Sequence, residues 1–237
     1  MIIRTCVTAV AAAGAEKALF KTGLAAMAAL MIGWCAGASA APMIIESVRA
    51  GTVEDLDGNG TPDRSFQSSI VVRDAVTWEN RGVVEFDLNG IRSAIAGGAT
   101  FNSVHLELTS YGIDAFTDSF LLHVFGYTGN GLFDHADFNA GSFLLGQTLD
   151  NDVVVASIDV TDHILDFLDG SDRYTGFSLR GGNPGFQFGF YQGRSGPPGV
   201  APRLVFDYVA PVPEPASLAL FGFGLAAFAA TRRRTRH

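Results

Sequence analysis

Apolar and polar positions alternate with a period of two over much of the stretch between residues 44 and 208. In 101–109, Val104, Leu106 and Leu108 point one way while His105, Glu107 and Thr109 point the other. A second run, 78–88, sets Val84, Phe86 and Leu88 against Val83, Glu85 and Asp87. Further runs lie at 44–48, 66–72, 120–127, 153–160, 176–179, 186–191 and 204–208. Successive side chains of a strand leave on opposite faces, so each alternating run predicts a strand with one face on a core. About nine short strands separated by Gly, Asn and Asp turns predict an all-β chain, folded as a single antiparallel β-sandwich. Connectors such as Gly181-Gly182-Asn183-Pro184-Gly185 and Gly196-Pro197-Pro198-Gly199 have the chemistry of tight turns. One short helix is predicted over 162–168, with Thr161 or Asp162 as N-cap and Ile164, Leu165 and Leu168 on its buried face.

The pattern changes at both ends. Arg4, Lys17 and Lys21 precede an apolar stretch, 24–35, and Ala38-Ser39-Ala40 has the small-x-small form of a cleavage site. Residues 1–40 therefore read as a signal peptide, with the mature chain starting at Ala41. At the other end, Val212-Pro213-Glu214-Pro215 leads into an apolar run, 216–230, that stops at Arg232, Arg233, Arg234 and Arg236. An apolar helix followed by arginines halts in a membrane, because guanidinium groups are costly to move across lipid. The run is shorter than a hydrocarbon core of roughly 30 Å requires, which makes it a marginal permanent anchor. It reads better as a transmembrane sorting helix that a membrane enzyme recognises and removes. The segment resembles the PEP-CTERM sorting signal of Gram-negative bacteria, with Pro213-Glu214-Pro215 as the namesake tripeptide. That resemblance implies handling by the secretion machinery, transient association with the inner membrane and processing by an exosortase. It also implies delivery to the cell surface or to an exopolysaccharide matrix. The expected organisation is a signal peptide at 1–40, a sandwich domain at 41–210 and a sorting segment at 211–237, with 209–215 as a proline-rich linker.

Composition narrows the function of the central domain. Residues 41–210 contain nine arginines, no lysine and 22 Asp plus Glu, a net charge near −13. Such a surface repels nucleic acid and favours divalent cations. Both cysteines, Cys6 and Cys35, fall in the signal peptide, so no disulfide or thiol chemistry is expected in the mature domain.

The succession of strands carries a second resemblance. Arg81-Gly82-Val83-Val84-Glu85-Phe86-Asp87-Leu88 is followed by Val104-His105-Leu106-Glu107-Leu108. Ile158-Asp159-Val160-Thr161 with its helix, Gly176-Phe177-Ser178-Leu179 and Pro202-Arg203-Leu204-Val205-Phe206 complete the series. This order is similar to the jelly-roll sandwiches of the DNRLRE type, which are related to carbohydrate-binding modules. The namesake motif of that family is absent.

Candidate chemistry is concentrated in Asp55-Leu56-Asp57-Gly58-Asn59-Gly60-Thr61-Pro62-Asp63. Asp55, Asp57, Asn59 and Asp63 supply oxygen side chains at positions 1, 3, 5 and 9 of a calcium loop, and Thr61 offers a carbonyl at position 7. Position 12, where a glutamate closes an EF-hand loop, is Phe66, so closure is expected from Glu54 or from a distant acid. The alternative is an acidic turn that holds no ion. Gly129-Asn130-Gly131-Leu132-Phe133-Asp134 partly echoes this motif and reads as a turn in a long loop.

No catalytic constellation is recognisable. Gly193-Arg194-Ser195-Gly196-Pro197 misses the G-x-S-x-G pattern at its last position, and His105 and Glu107 lack a third metal ligand. Sugar binding needs exposed rings flanked by polar groups, and Trp78, followed by Glu79, Asn80 and Arg81, is the first candidate. Tyr111, Tyr127 and Tyr191 come next. The expected function is a non-enzymatic surface or matrix protein that binds polysaccharide. The alternatives are a structural or adhesive protein without a glycan ligand and a polysaccharide-cleaving enzyme using acids such as Glu79 and Asp87.

Overall fold

The computed structural model describes residues 42–113, 119–150, 152–182, 184–193, 197 and 199–209. The signal peptide and the sorting helix expected from the sequence lie outside the described residues. Among the described residues, no helix is long and apolar enough to cross a membrane.

Among the described residues, twelve antiparallel strands form a β-sandwich. One layer joins β1 (Met43–Glu46), β12 (Arg203–Val209), β6 (Thr100–Ile113) and β9 (Val155–Asp159). The other layer is arranged about β5 (Trp78–Asp87), which pairs with β2 (Arg49–Asp55), β4 (Ile70–Ala75) and β10 (Tyr174–Gly181). It extends through β3 (Arg64–Phe66) beside β2, β11 (Phe186–Phe190) beside β4, and β7 (Ser119–Gly129) and β8 (Ser142–Asp150) beyond β10. The end of β6 also pairs with β11, so this long strand belongs to both layers.

The core follows from the alternation. Val104, Leu106 and Leu108 of β6 and Leu204 and Phe206 of β12 are completely buried, opposite Val84 and Phe86 of β5 and Phe177 and Leu179 of β10. Phe86 meets Phe177 edge-on, with centroids 6.1 Å apart. Such offset ring pairs add to the area they bury.

The structure also departs from the pattern. β2 and β8 were not anticipated, and the run at 66–72 divides into parts of β3 and β4. β2 has no period of two because it is buried on both sides, with Thr52, Glu54 and Asp55 buried along with its apolar residues. β8 is an edge strand, interrupted by Gly146 and mostly exposed. A helix missed entirely, α1 (Asn89–Ala96), buries only Ile91. The predicted helix exists as α2 (Thr161–Asp169). Its N-cap position is Val160, and the Asp159 carboxylate accepts the Thr161 N–H at 2.9 Å, so neither Thr161 nor Asp162 is the cap. Ile164 is buried as expected, whereas Leu165 is 39% exposed. Arg92 of α1 reaches the C-terminal end of α2, donating to the carbonyls of Phe167, Leu168, Gly170 and Asp172. A cation at this end satisfies carbonyls that the helix leaves unpaired.

The expected outcome of Phe177→Ala is a loss of about 3–5 kcal/mol, because a full ring leaves a closed core. Phe143→Ala, at a ring 56% exposed on the edge strand, is expected to change stability by less than about 1 kcal/mol. Urea unfolding of the two variants measures the contrast.

Candidate calcium loop and the strapped face of the sheet

The acidic loop leaves the end of β2. The Asp55 carboxylate is 1% exposed and accepts the N–H groups of Gly58, Asn59 and Gly60 at 2.8, 3.2 and 2.6 Å. Asp57 accepts the Asn59 backbone and side-chain N–H groups, and Asp63 accepts the Leu56 N–H at 2.7 Å. Gly58 and Gly60 have φ of +69° and +82°, which is left-handed backbone that glycine adopts without a Cβ penalty. The chain thereby folds back so that one carboxylate oxygen from each of Asp55, Asp57 and Asp63 lies within 4.8 Å of the others. Among the described residues none of these three acids is in an ion pair. Burial by itself raises the Asp55 pKa, but the N–H groups of Gly60 and Gly58, with Asp57 and Asn59, bring it below the usual carboxylate value.

The other sequence-predicted ligands are placed differently. Asn59 uses its side-chain oxygen to accept the Thr61 N–H at 2.7 Å and its amide nitrogen to reach Asp57. Glu54 does not close the loop: its side chain pairs with Arg64 and accepts from Asn80 at 2.8 Å. Adjacent residues of a strand face opposite ways, so Asp55 and Glu54 cannot serve one ion. Asn139 ties the loop from outside, donating to the Gly60 carbonyl at 3.1 Å.

Trp78 is half-buried at the head of β5, and the Arg73 guanidinium lies 4.0 Å over its ring. The preceding turn touches the acidic loop, since a Cβ on Gly58 would come within 3.3 Å of the Thr77 backbone. Tyr111 and Tyr191 form an edge-on pair at 5.3 Å, with Tyr111 44% exposed. Tyr127 is buried and presents no platform. Glu79 is held by both side-chain ends of Arg81, at 2.6 and 2.7 Å, and Asp87 pairs with Arg173. These acids are eight residues apart on one strand, roughly 27 Å at a strand's rise, far beyond the spacing of a glycosidase pair.

The echo of the acidic motif has another role. Residues 130–141 form a strap across the outer face of the second layer, with a 3-10 helix at His135–Asn139. Phe138 is buried with Val53, Val83 and Tyr127 in a small second core. Arg81 stacks at 3.9 Å on Phe138 and donates to its carbonyl, while Arg180 donates to the Ala140 carbonyl at 2.8 Å. Beneath the strap lie Glu85, fully buried, and Asp137, 3% exposed. The alternation sets Val83 and Glu85 on the face opposite Val84 and Phe86, and the strap covers that face as well.

A β-sandwich with an acidic loop beside an aromatic turn defines a class of domain, and the chain's C-terminal segment supplies the more particular likeness. Residues 211–234 match the family profile of the PEP-CTERM protein-sorting motif. The chain thus carries an exosortase-type sorting signal and is an exported, cell-surface-directed protein of the Gram-negative kind. Val212, Pro213, Glu214 and Pro215 fall within the match and outside the described residues. No curated protein matches the chain.

Asp55→Ala leaves the Gly58 and Gly60 N–H groups without their acceptor, while the Asn59 N–H keeps Asp57. The expected cost is about 1–3 kcal/mol, present even in chelator. Asp57→Ala, at an exposed carboxylate, is expected to cost less than about 1 kcal/mol under the same conditions. Equal denaturation midpoints for the two variants in chelator would contradict the assigned hydrogen bonds.

Proposed function

We propose that the exported chain is a non-enzymatic surface or matrix protein whose β-sandwich binds polysaccharide. In this reading calcium held by Asp55, Asp57, Asn59, Thr61 and Asp63 staples the site. The observation that carries it is the packing of the acidic loop on the turn that bears Trp78. An ion among three mutually repelling carboxylates fixes the loop, and the loop fixes the turn. Calcium takes six to eight oxygens, so sugar hydroxyls or water complete what the loop does not supply. Trp78 offers its ring to the C–H face of a pyranose, with Glu79 beside it for hydroxyls.

A second reading has one observation in its favour. The Arg73 guanidinium already covers a face of the Trp78 ring, as it would in a structural or adhesive protein without a glycan ligand. The enzymatic reading finds less support, since Glu79 and Asp87 each pair with an arginine and stand on distant parts of β5.

A ligand that binds only the folded state stabilises it by mass action. Millimolar calcium is expected to raise the melting temperature by about 5–10 °C over chelator, and Asp57→Ala is expected to remove that difference. Identical melting temperatures in wild type leave the acidic turn without an ion.

A glycan array with the exported chain tests the binding itself. Trp78→Ala is expected to weaken any captured glycan by about tenfold or more, with a melting temperature within about 3 °C of wild type. A folded wild type that captures no glycan favours the adhesive reading.

A further inference from the structure

The acids under the strap have no part in the proposed glycan site. Glu85 accepts the N–H groups of Asn130 and Gly131, at 3.2 and 2.9 Å, and so holds the first residues of the strap. Asp137 accepts the Asp134 N–H at 3.1 Å within the 3-10 helix and holds its middle. Tyr127, 9% exposed, lies beside both carboxylates and turns its hydroxyl toward them. Gly176 leaves the room its ring occupies, since a Cβ there would collide with the Tyr127 ring.

Among the described residues neither acid is in an ion pair. Arg49 of β2 is the register partner of Glu85, but its guanidinium turns to the Val48 carbonyl at 2.7 Å. Arg173, just before β10, pairs with Asp87 and stacks at 4.9 Å on Tyr174, while Arg180 of β10 donates to the Ala140 carbonyl and Arg81 of β5 holds Glu79 and the Phe138 carbonyl. On the strap itself the neighbours are Asp134, an acid, and His135, which is exposed. A pair of buried carboxylates without a cation is tolerable only while one of them is neutral.

We propose that Glu85, Tyr127 and Asp137 form a proton-operated latch that fastens the strap of residues 130–141 onto the sheet and releases it when the shared proton is lost. With one proton in the pair, the neutral carboxyl still accepts a strap N–H and the Tyr127 hydroxyl has an acceptor. With both acids charged, repulsion and unrelieved desolvation act against the closed strap. Opening uncovers Val53, Val83 and Phe138 and frees Asn139 from the Gly60 carbonyl.

Burial, followed by the charge of Asp137, pushes the Glu85 pKa up to about 7, against the pull of the Asn130 and Gly131 N–H groups. Burial raises Asp137 as well. The folded value for Glu85 lies above the ordinary 4.5, so its contribution to closure is complete in acid. That contribution declines as pH rises from about 4.5 and is gone above about 7.

Amide exchange of residues 130–141 in the full chain, corrected for the intrinsic pH dependence of exchange, provides the test. Protection is expected to fall about tenfold or more between pH 5.5 and pH 8.5, while β6 and β12 stay unchanged. Glu85→Gln is expected to keep the strap protected at both pH values. Should that variant fail to fold, Asp137→Asn, which removes the like charge, is expected to bring the Glu85 pKa down toward its ordinary value and so to reduce the fall in strap protection between the two pH values. Equal strap protection at the two pH values in wild type overturns the latch. So does a fall that persists undiminished in Glu85→Gln or in Asp137→Asn.

Discussion

Much of the second layer depends on how β5 is enclosed. Val84 and Phe86 face the core between the layers, and Val83 and Glu85 face the strap, so over this stretch neither side of the strand meets solvent. β2 and β10 flank it along most of its length. A buried strand has its backbone groups satisfied by its neighbours, but a buried polar side chain on it needs a partner of its own. Asn80 finds one in Glu54, and Glu85 finds the N–H groups of the strap. The strap follows from this requirement: it supplies donors to Glu85 at one end and apolar cover through Phe138 in the middle.

Arginine does the fastening elsewhere. Arg81 holds Glu79, lies against Phe138 and donates to the strap backbone, so one side chain joins β5 to the covering segment. Arg92 collects four carbonyls around the end of α2. A planar fork of five donors suits such multiple acceptance better than a lysine ammonium does, and the central domain contains no lysine. A strongly acidic exported domain thus uses its few cations as internal fasteners and leaves the carboxylates of the Asp55–Asp63 loop uncompensated. That imbalance is the physical ground for reading the loop as a cation site.

The sorting segment and the central domain contribute different kinds of information. The segment says where the chain goes, through a motif read by processing machinery. The domain's role rests on the chemistry its loops present, because a β-sandwich hosts many unrelated functions.

Sequence alone determined the class of fold, most of the strands, the acidic loop and the C-terminal signal. Each is a local property: alternation follows from strand geometry, turn chemistry from Gly, Asn and Asp, and the signal from the order of motif, apolar run and arginines. Position 1 of the loop was legible for the same reason, since Asp55 binds N–H groups only three to five residues away. Tertiary structure decided what long-range packing decides. It turned Glu54 away toward Arg64 and Asn80, laid Arg73 over Trp78, and buried Tyr127. It also laid a strap that carries Asp137, about fifty residues along the chain, over Glu85 and the face of β5 opposite Val84 and Phe86. A period of two says that a strand has two faces. Which of them meets water depends on segments far away in sequence, and no pattern within the strand records their arrival.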